Sequence, residues 1–179
     1  MRPTSTWRIG RFALVSATVS LITPVSAQAE SLEAVVSFVE VVDEAAPTTR
    51  IYRHAHDVDL SVIDRSRVSD TSSRVPGRPN ERAQNAIGRI GTPVRLGVAS
   101  LLWRLDGPDT VVRQIAYPSF EETITITFHP GGCNATVAYR LKPNHARFEM
   151  WDLNTGTSMT INRMWAENVR CKLGAVAVS

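Results

Sequence analysis

The stretch Tyr52-Arg53-His54-Ala55-His56-Asp57-Val58-Asp59 is the one cluster in this chain whose side-chain types and spacing suit chemistry. On an extended strand, His54 and His56 leave from the same face about 7 Å apart. Two imidazoles at that distance can share a Zn²⁺ or Cu²⁺, with Asp57 or Asp59 supplying an oxygen. On this reading the chain is a metal-binding or metal-dependent protein. The simpler reading of the same residues is a solvent-facing turn joining two short strands, 49–53 and 58–63, because exposed histidines commonly lack a ligand role.

The stretch resembles the His-x-His-x-Asp-His of metallo-β-lactamase-like hydrolases in its two histidines, and departs from it at Val58 and Asp59, where that family carries two further ligands. Elsewhere, alternate residues His145, Arg147 and Glu149 would share a strand face and offer an acid–base group to a small secreted hydrolase. The same three are also what the solvated side of an amphipathic strand looks like. No Gly-x-Ser-x-Gly, no His-Glu-x-x-His and no glycine-rich phosphate loop occurs, so acyl transfer and nucleotide chemistry have no foothold. Trp151 falls in phase with Arg147 and Glu149 and out of phase with Phe148 and Met150. If the latter two face a core, an exposed tryptophan flanked by charge marks a surface for a protein or glycan.

The start of the chain says where such a surface would work. Arg2, Arg8 and Arg11 precede an apolar run from Phe12 to Val25, followed by small residues at Ala27 and Ala29. This is the order of a cleaved signal peptide over residues 1–29. The apolar run is too short and too rich in Ser and Thr for the roughly 20 residues of a spanning helix. Whole-chain charge is 20 Lys+Arg against 17 Asp+Glu, and three of the arginines lie in the leader. The remainder balances at 17 against 17, which removes the basic surplus that nucleic-acid binding would need. The expected product is exported, to a periplasm or the extracellular space, with no membrane span after cleavage. Cys133 and Cys171 are the only cysteines. Without Cys-x-x-Cys spacing they read as a structural disulfide in an oxidising compartment.

The elements that must carry these residues are mostly strands. Ile124, Ile126 and Phe128 alternate with Thr123, Thr125 and Thr127 up to His129-Pro130-Gly131-Gly132, and Cys133, Ala135, Val137, Tyr139 and Leu141 alternate back. Further strands are expected over 146–153, 157–163 and 167–173, with Val169, Cys171 and Leu173 on one side. Asp106-Gly107-Pro108-Asp109 turns a hairpin between 94–105 and 110–117. The run 32–42 is β-branched and favours strand. Two segments read otherwise: residues 64–79 as a long polar loop, and 81–90 as a short helix capped by Asn80, in which Gly88 is the weak point.

Residues 30–179 are therefore expected to form a mainly β domain, an antiparallel β-sandwich or barrel-like fold with one short helix. The leading functional expectation is a non-catalytic binding module of the cell envelope or extracellular space, with Arg147, Glu149 and Trp151 as its face.

Overall fold

A computed structural model describes residues 31–46, 49–74, 84–142, 148–152 and 157–174, with 46, 74, 148–152 and 157–159 described by backbone alone. The leader expected over 1–29 lies outside the described residues. Eleven strands run in chain order: β1 (Leu32–Ala46), β2 (Ile51–Ile63), β3 (Arg67–Arg74), β4 (Gln84–Arg89), β5 (Val94–Leu96), β6 (Ala99–Leu105), β7 (Thr110–Ala116), β8 (Phe120–His129), β9 (Gly132–Leu141), β10 (Phe148–Asp152) and β11 (Thr157–Leu173). They form two antiparallel sheets, a six-stranded one ordered β10-β11-β1-β2-β3-β4 and a five-stranded one ordered β5-β6-β7-β8-β9. Among the described residues there is no helix, and so none long and apolar enough to cross a membrane.

The alternation visible in the sequence becomes the contact between the layers. Ala34, Val36, Phe38, Val58, Leu60, Val62 and Val68 of the six-stranded sheet pack on Leu101, Trp103, Val111, Ile115, Ile124 and Ile126 of the other. Each strand contributes its inward residues at period two, the arrangement expected of two sheets sharing one core. At the edge where β9 approaches β11, Cys133 and Cys171 are joined by a disulfide with a Cα–Cα distance of 5.6 Å, linking one sheet to the other.

Two expectations are corrected. Residues 84–89, expected as helix, form strand β4, paired with β3 from Arg67↔Arg89 to Ser72↔Gln84; residues 81–83 lie outside the described set. Packing explains the difference. A Cβ on Gly88 would lie 2.5 Å from the Trp103 ring and 2.8 Å from Val94, so glycine is what lets the indole lie against the strand. Ile87 is 81% exposed on the opposite face.

The polar loop expected over 64–79 is also corrected. Residues 67–74 are strand β3, with Val68 and Asp70 buried, while 75–79 lie outside the described residues. Asp64 and Arg65, with φ of 51° and 52°, make a tight two-residue turn closed by Ser66 N–H donating to the Ile63 carbonyl at 3.1 Å. A left-handed turn without glycine carries little sequence signal. It is held from outside, because the Arg65 guanidinium donates to the carbonyls of Pro108 at 2.7 Å and Gly107 at 3.2 Å in the β6–β7 turn.

β11 changes phase along its length. Ser37 and Val39 of β1 pair with Arg170 and Glu167, so two residues of β11, Asn168 and Val169, oppose the single Phe38, and Asn168 takes up the excess at φ 54°. Asparagine tolerates this left-handed geometry better than most residues. The bulge lets Val169 and Cys171 on one side of it, and Met164 and Ala166 on the other, all reach the interior.

Replacing both Cys133 and Cys171 by alanine should lower unfolding stability by about 4 kcal/mol in chain-entropy terms, for a loop of this length. Chemical denaturation in oxidising buffer measures it, and an unchanged midpoint would contradict a stabilising cross-link. Gly88→Ala should cost about 1–3 kcal/mol through overpacking on Trp103, whereas Ile87→Ala on the exposed face should be nearly neutral.

Candidate functional site: a polar chain between the sheets

Among the described residues five charged residues are buried, Glu44 with Tyr52 as a partner, and the other four sit in the apolar phase of their strands. Glu40 follows Val36 and Phe38 on β1, Asp70 follows Val68 on β3, Arg113 lies between Val111 and Ile115 on β7, and Glu122 precedes Ile124 and Ile126 on β8. Strand geometry therefore points all four into the sandwich. Their exposures are 6% for Glu40, 2% for Asp70, 2% for Arg113 and 9% for Glu122. Charges so buried must be paired and hydrogen-bonded, since desolvation is costly otherwise.

The pairing is continuous. Arg113 Nε donates to Asp70 Oδ2 at 2.7 Å, and its Nη1 donates to Glu122 Oε1 at 2.7 Å. Trp103 Nε1 donates to the same Asp70 oxygen at 2.8 Å. From the other end, the Tyr139 hydroxyl lies 3.1 Å from Glu122 Oε2 and 3.4 Å from Glu40 Oε2. The chain thus leaves the six-stranded sheet at Asp70, crosses the five-stranded sheet through Trp103, Arg113, Glu122 and Tyr139, and returns at Glu40. Burial alone would push the Arg113 guanidinium down, but Asp70 and Glu122 outweigh it and hold it above its ordinary value. Burial, then the charges of Glu122 and Glu40, push the Tyr139 hydroxyl far above the ordinary phenol range, so it stays a proton donor.

The histidines expected from the sequence sit at the Glu40 end. β2 runs unbroken from Ile51 to Ile63, so the turn expected between 53 and 58 does not occur. His54 and His56 are on the inward face, in phase with Val58 and Leu60. His54 stands directly across from Glu40 on β1. His56 stacks on Phe38, ring centroids 5.2 Å apart, and its Nε2 lies 3.8 Å from Glu40 Oε1 with no hydrogen-bond partner. Asp57 leaves from the opposite face of the strand, opposite Ser37 and Ser73, so it cannot join the histidines around one ion. Among the described residues, no group of three or more His, Cys, Asp or Glu is gathered to hold a metal.

The outer face of the six-stranded sheet holds the other concentration of polar groups. At one end Arg163 lies over the Trp165 ring at 4.7 Å and pairs with Asp43 at 3.0 Å, while Glu167 accepts from Trp165 Nε1 at 3.1 Å and from Arg53. Val41, whose register partners on the neighbouring strands are Trp165 and Arg53, is fully buried although it falls in the outward phase. At the other end an open groove of about 490 Å³ is lined by Glu33, Val35, Asp59, Ser61, Ser69, Thr71 and Gly174. Of the face expected from the sequence, Glu149 and Trp151 lie on β10, the edge strand of this same sheet, paired with Thr160 and Ser158. Their side chains, together with Arg147 and His145, lie outside the described residues.

Sequence reasoning did not find Glu40, Asp70, Arg113 or Glu122. A signal was present, namely a charged residue in the apolar phase of an alternating strand, and it was passed over because each occurs singly. Arg113→Met should destabilise the fold by about 3–5 kcal/mol, because it leaves two buried carboxylates without their cation. Tyr139→Phe, which removes one donor to a charged acceptor, should cost about 1.5–3 kcal/mol. Urea unfolding of the two variants gives the order, and equal losses would refute the central place of the guanidinium.

The chain matches no protein-family model, no curated protein and no solved structure.

Proposed function

We propose that this chain is an exported, soluble, non-catalytic binding module of the cell envelope or extracellular space, taking a protein or glycan partner on the outer face of its six-stranded sheet. The observation that carries the reading is the groove in that face. Three hydroxyls, Ser61, Ser69 and Thr71, and two carboxylates, Glu33 and Asp59, converge across three adjacent strands. Hydroxyl and carboxylate groups on a stiff backbone offer donors and acceptors in fixed positions, which is what recognition of a polar ligand needs. The stiffness comes from behind, where the buried polar chain and the disulfide tie this sheet to its partner. Trp165 and the flanking arginines extend the face with residue types that commonly anchor partners. Glu149 and Trp151 belong to the same sheet, and with Arg147 they remain the first residues to test at its β10 edge. The disulfide is compatible with an oxidising compartment.

The test has two parts. Mass spectrometry of the chain recovered from its producing cell should show loss of the leader, ending after Ala27 or Ala29, and a retained full-length mass would contradict export. A photo-reactive residue placed at Thr71, and as control at exposed Thr136 on the other sheet, should capture an envelope protein or retain a glycan from an array at position 71 alone. Asp59→Ala with Ser69→Ala should weaken that capture about tenfold or more, as expected for loss of well-placed polar contacts. Equal capture at both positions would overturn the assignment of the face.

A further inference from the structure

The six-stranded sheet ends on β4, and among the described residues no strand pairs with the outer side of β4. The parity of the ladder fixes which groups are left there. Ile90 N–H donates to the Ser66 carbonyl at 2.8 Å, and β3 and β4 pair without a register shift from Arg67↔Arg89 to Ser72↔Gln84. Alternate residues therefore turn their backbone groups toward β3, while Asn85, Ile87 and Arg89 turn theirs away from it. The Arg89 carbonyl is taken by the Thr92 N–H at 3.1 Å, in the turn that ends the strand. What stays open is the N–H of all three residues and the carbonyls of Asn85 and Ile87.

The same three residues carry their side chains on the outer face of the sheet. Ile87 is 81% exposed there, with Asn85 and Arg89 exposed on either side of it. Ala86 is buried on the inner face, and Gly88 lies against the Trp103 ring. Edge strands normally guard such a combination of free backbone and exposed apolar side chain with proline, lysine or a bulge. β4 has none of these.

We infer that β4 pairs antiparallel with β4 of a second copy of this chain, about a twofold axis at Ile87, so that one sheet runs through both molecules. In that register Ile87 exchanges both backbone bonds with the partner's Ile87, and the two exposed isoleucines lie side by side. Asn85 falls opposite the partner's Arg89, whose open N–H meets the Asn85 carbonyl. On the inner side Ala86 falls opposite the partner's Gly88, and neither has the bulk to hold the strands apart. Charge selects the register. A slip of two residues toward the strand end would set Arg89 against the partner's Arg89, and like charges directly opposite are destabilising. A slip the other way would part the isoleucines. A second copy thus supplies together the cover for Ile87, an uncharged neighbour for Arg89 and small residues beside Ala86 and Gly88, which assigns the edge to this chain itself.

The pairing has a consequence for the outer face. Thr71, in the groove, lies on β3 one strand in from β4, so the axis sets two copies of the groove about three strand spacings, roughly 14 Å, apart on one continuous face. The pairing itself does not depend on what the groove binds.

Sedimentation velocity of the full chain over a concentration series should show monomer and dimer in equilibrium, because one short strand pair is a small interface beside the roughly 800 Å² per partner of stable complexes. Ile87→Lys, which sets like charges on the axis, should abolish the dimer and leave the monomer folded, since the side chain is exposed. Cross-linking reads the register. The native cysteines are bonded to each other, so Ile87→Cys should join only to its own copy, across a Cα separation of about 5.5 Å. Asn85→Cys and Arg89→Cys should cross-link when mixed and not alone, and Thr136→Cys, exposed on the other sheet, should stay monomeric. Asp59→Ala with Ser69→Ala, which tests the groove, should leave the dimer intact, so the two readings fail separately. A chain that is monomeric at every concentration, or whose Ile87→Cys joins only to a different protein, would overturn the inference. So would a dimer that persists in Ile87→Lys, or cross-linking as strong at position 136 as at 87.

Discussion

One guanidinium holds the interior together. Arg113 is the only cation in the buried polar chain, and its Nε and Nη1 donate to carboxylates from different sheets, Asp70 on β3 and Glu122 on β8. Each carboxylate would be costly to bury alone, and each is satisfied on a second side, Asp70 by Trp103 and Glu122 by Tyr139. Such a network adds little net stability over a well-packed apolar core of the same volume, but it penalises any other register of the two sheets. A slip of one residue in β7 would turn Arg113 out and bring Val112 and Gln114 in. The constraint is therefore one of alignment.

Alignment matters because, among the described residues, the two sheets are joined at only a few other points. The disulfide ties β9 to β11 at one edge. At the other, the Gly91 N–H donates to the Trp103 carbonyl at 2.8 Å, where the chain passes from β4 toward β5. The Arg65 contacts with Gly107 and Pro108 hold a third corner. Between these points the polar chain crosses the layer twice. The outer face of the six-stranded sheet is thereby held on a braced support, which is the physical basis for reading that face as a recognition surface.

The position of His54 and His56 shows how one error of phase redirects a functional reading. As a turn, they would be two solvated histidines with Asp57 nearby. As part of the continuous strand β2, they enter the interior and Asp57 goes to the opposite face. The sequence contains both possibilities, since Arg53, Ala55 and Asp57 interleave with the inward positions and blur the alternation. What decides is the pairing of β1 with β2 along Leu32↔Val62 to Asp43↔Ile51, which leaves no room for a turn. The same holds for β3, whose Ser and Arg residues suit a loop until β2 and β4 supply hydrogen-bond partners on both sides.

Local chemistry alone was enough for the strands that alternate cleanly, β8 and β9, and for placing Cys133 and Cys171 on apolar faces, because side-chain phase at period two is a property of the chain itself; the single strand expected over 94–105 is instead β5 and β6, broken by a turn at Gly97. Only the tertiary structure decided that residues 84–89 are strand, because the Trp103 ring occupies the space beside Gly88. It alone decided which buried charges meet. Asp70 and Arg113 are 43 residues apart in the chain, and Glu40 and Tyr139 are 99 apart. Parity shows that each points inward, but nothing local to either residue specifies its partner. That choice depends on how two twisted sheets are stacked.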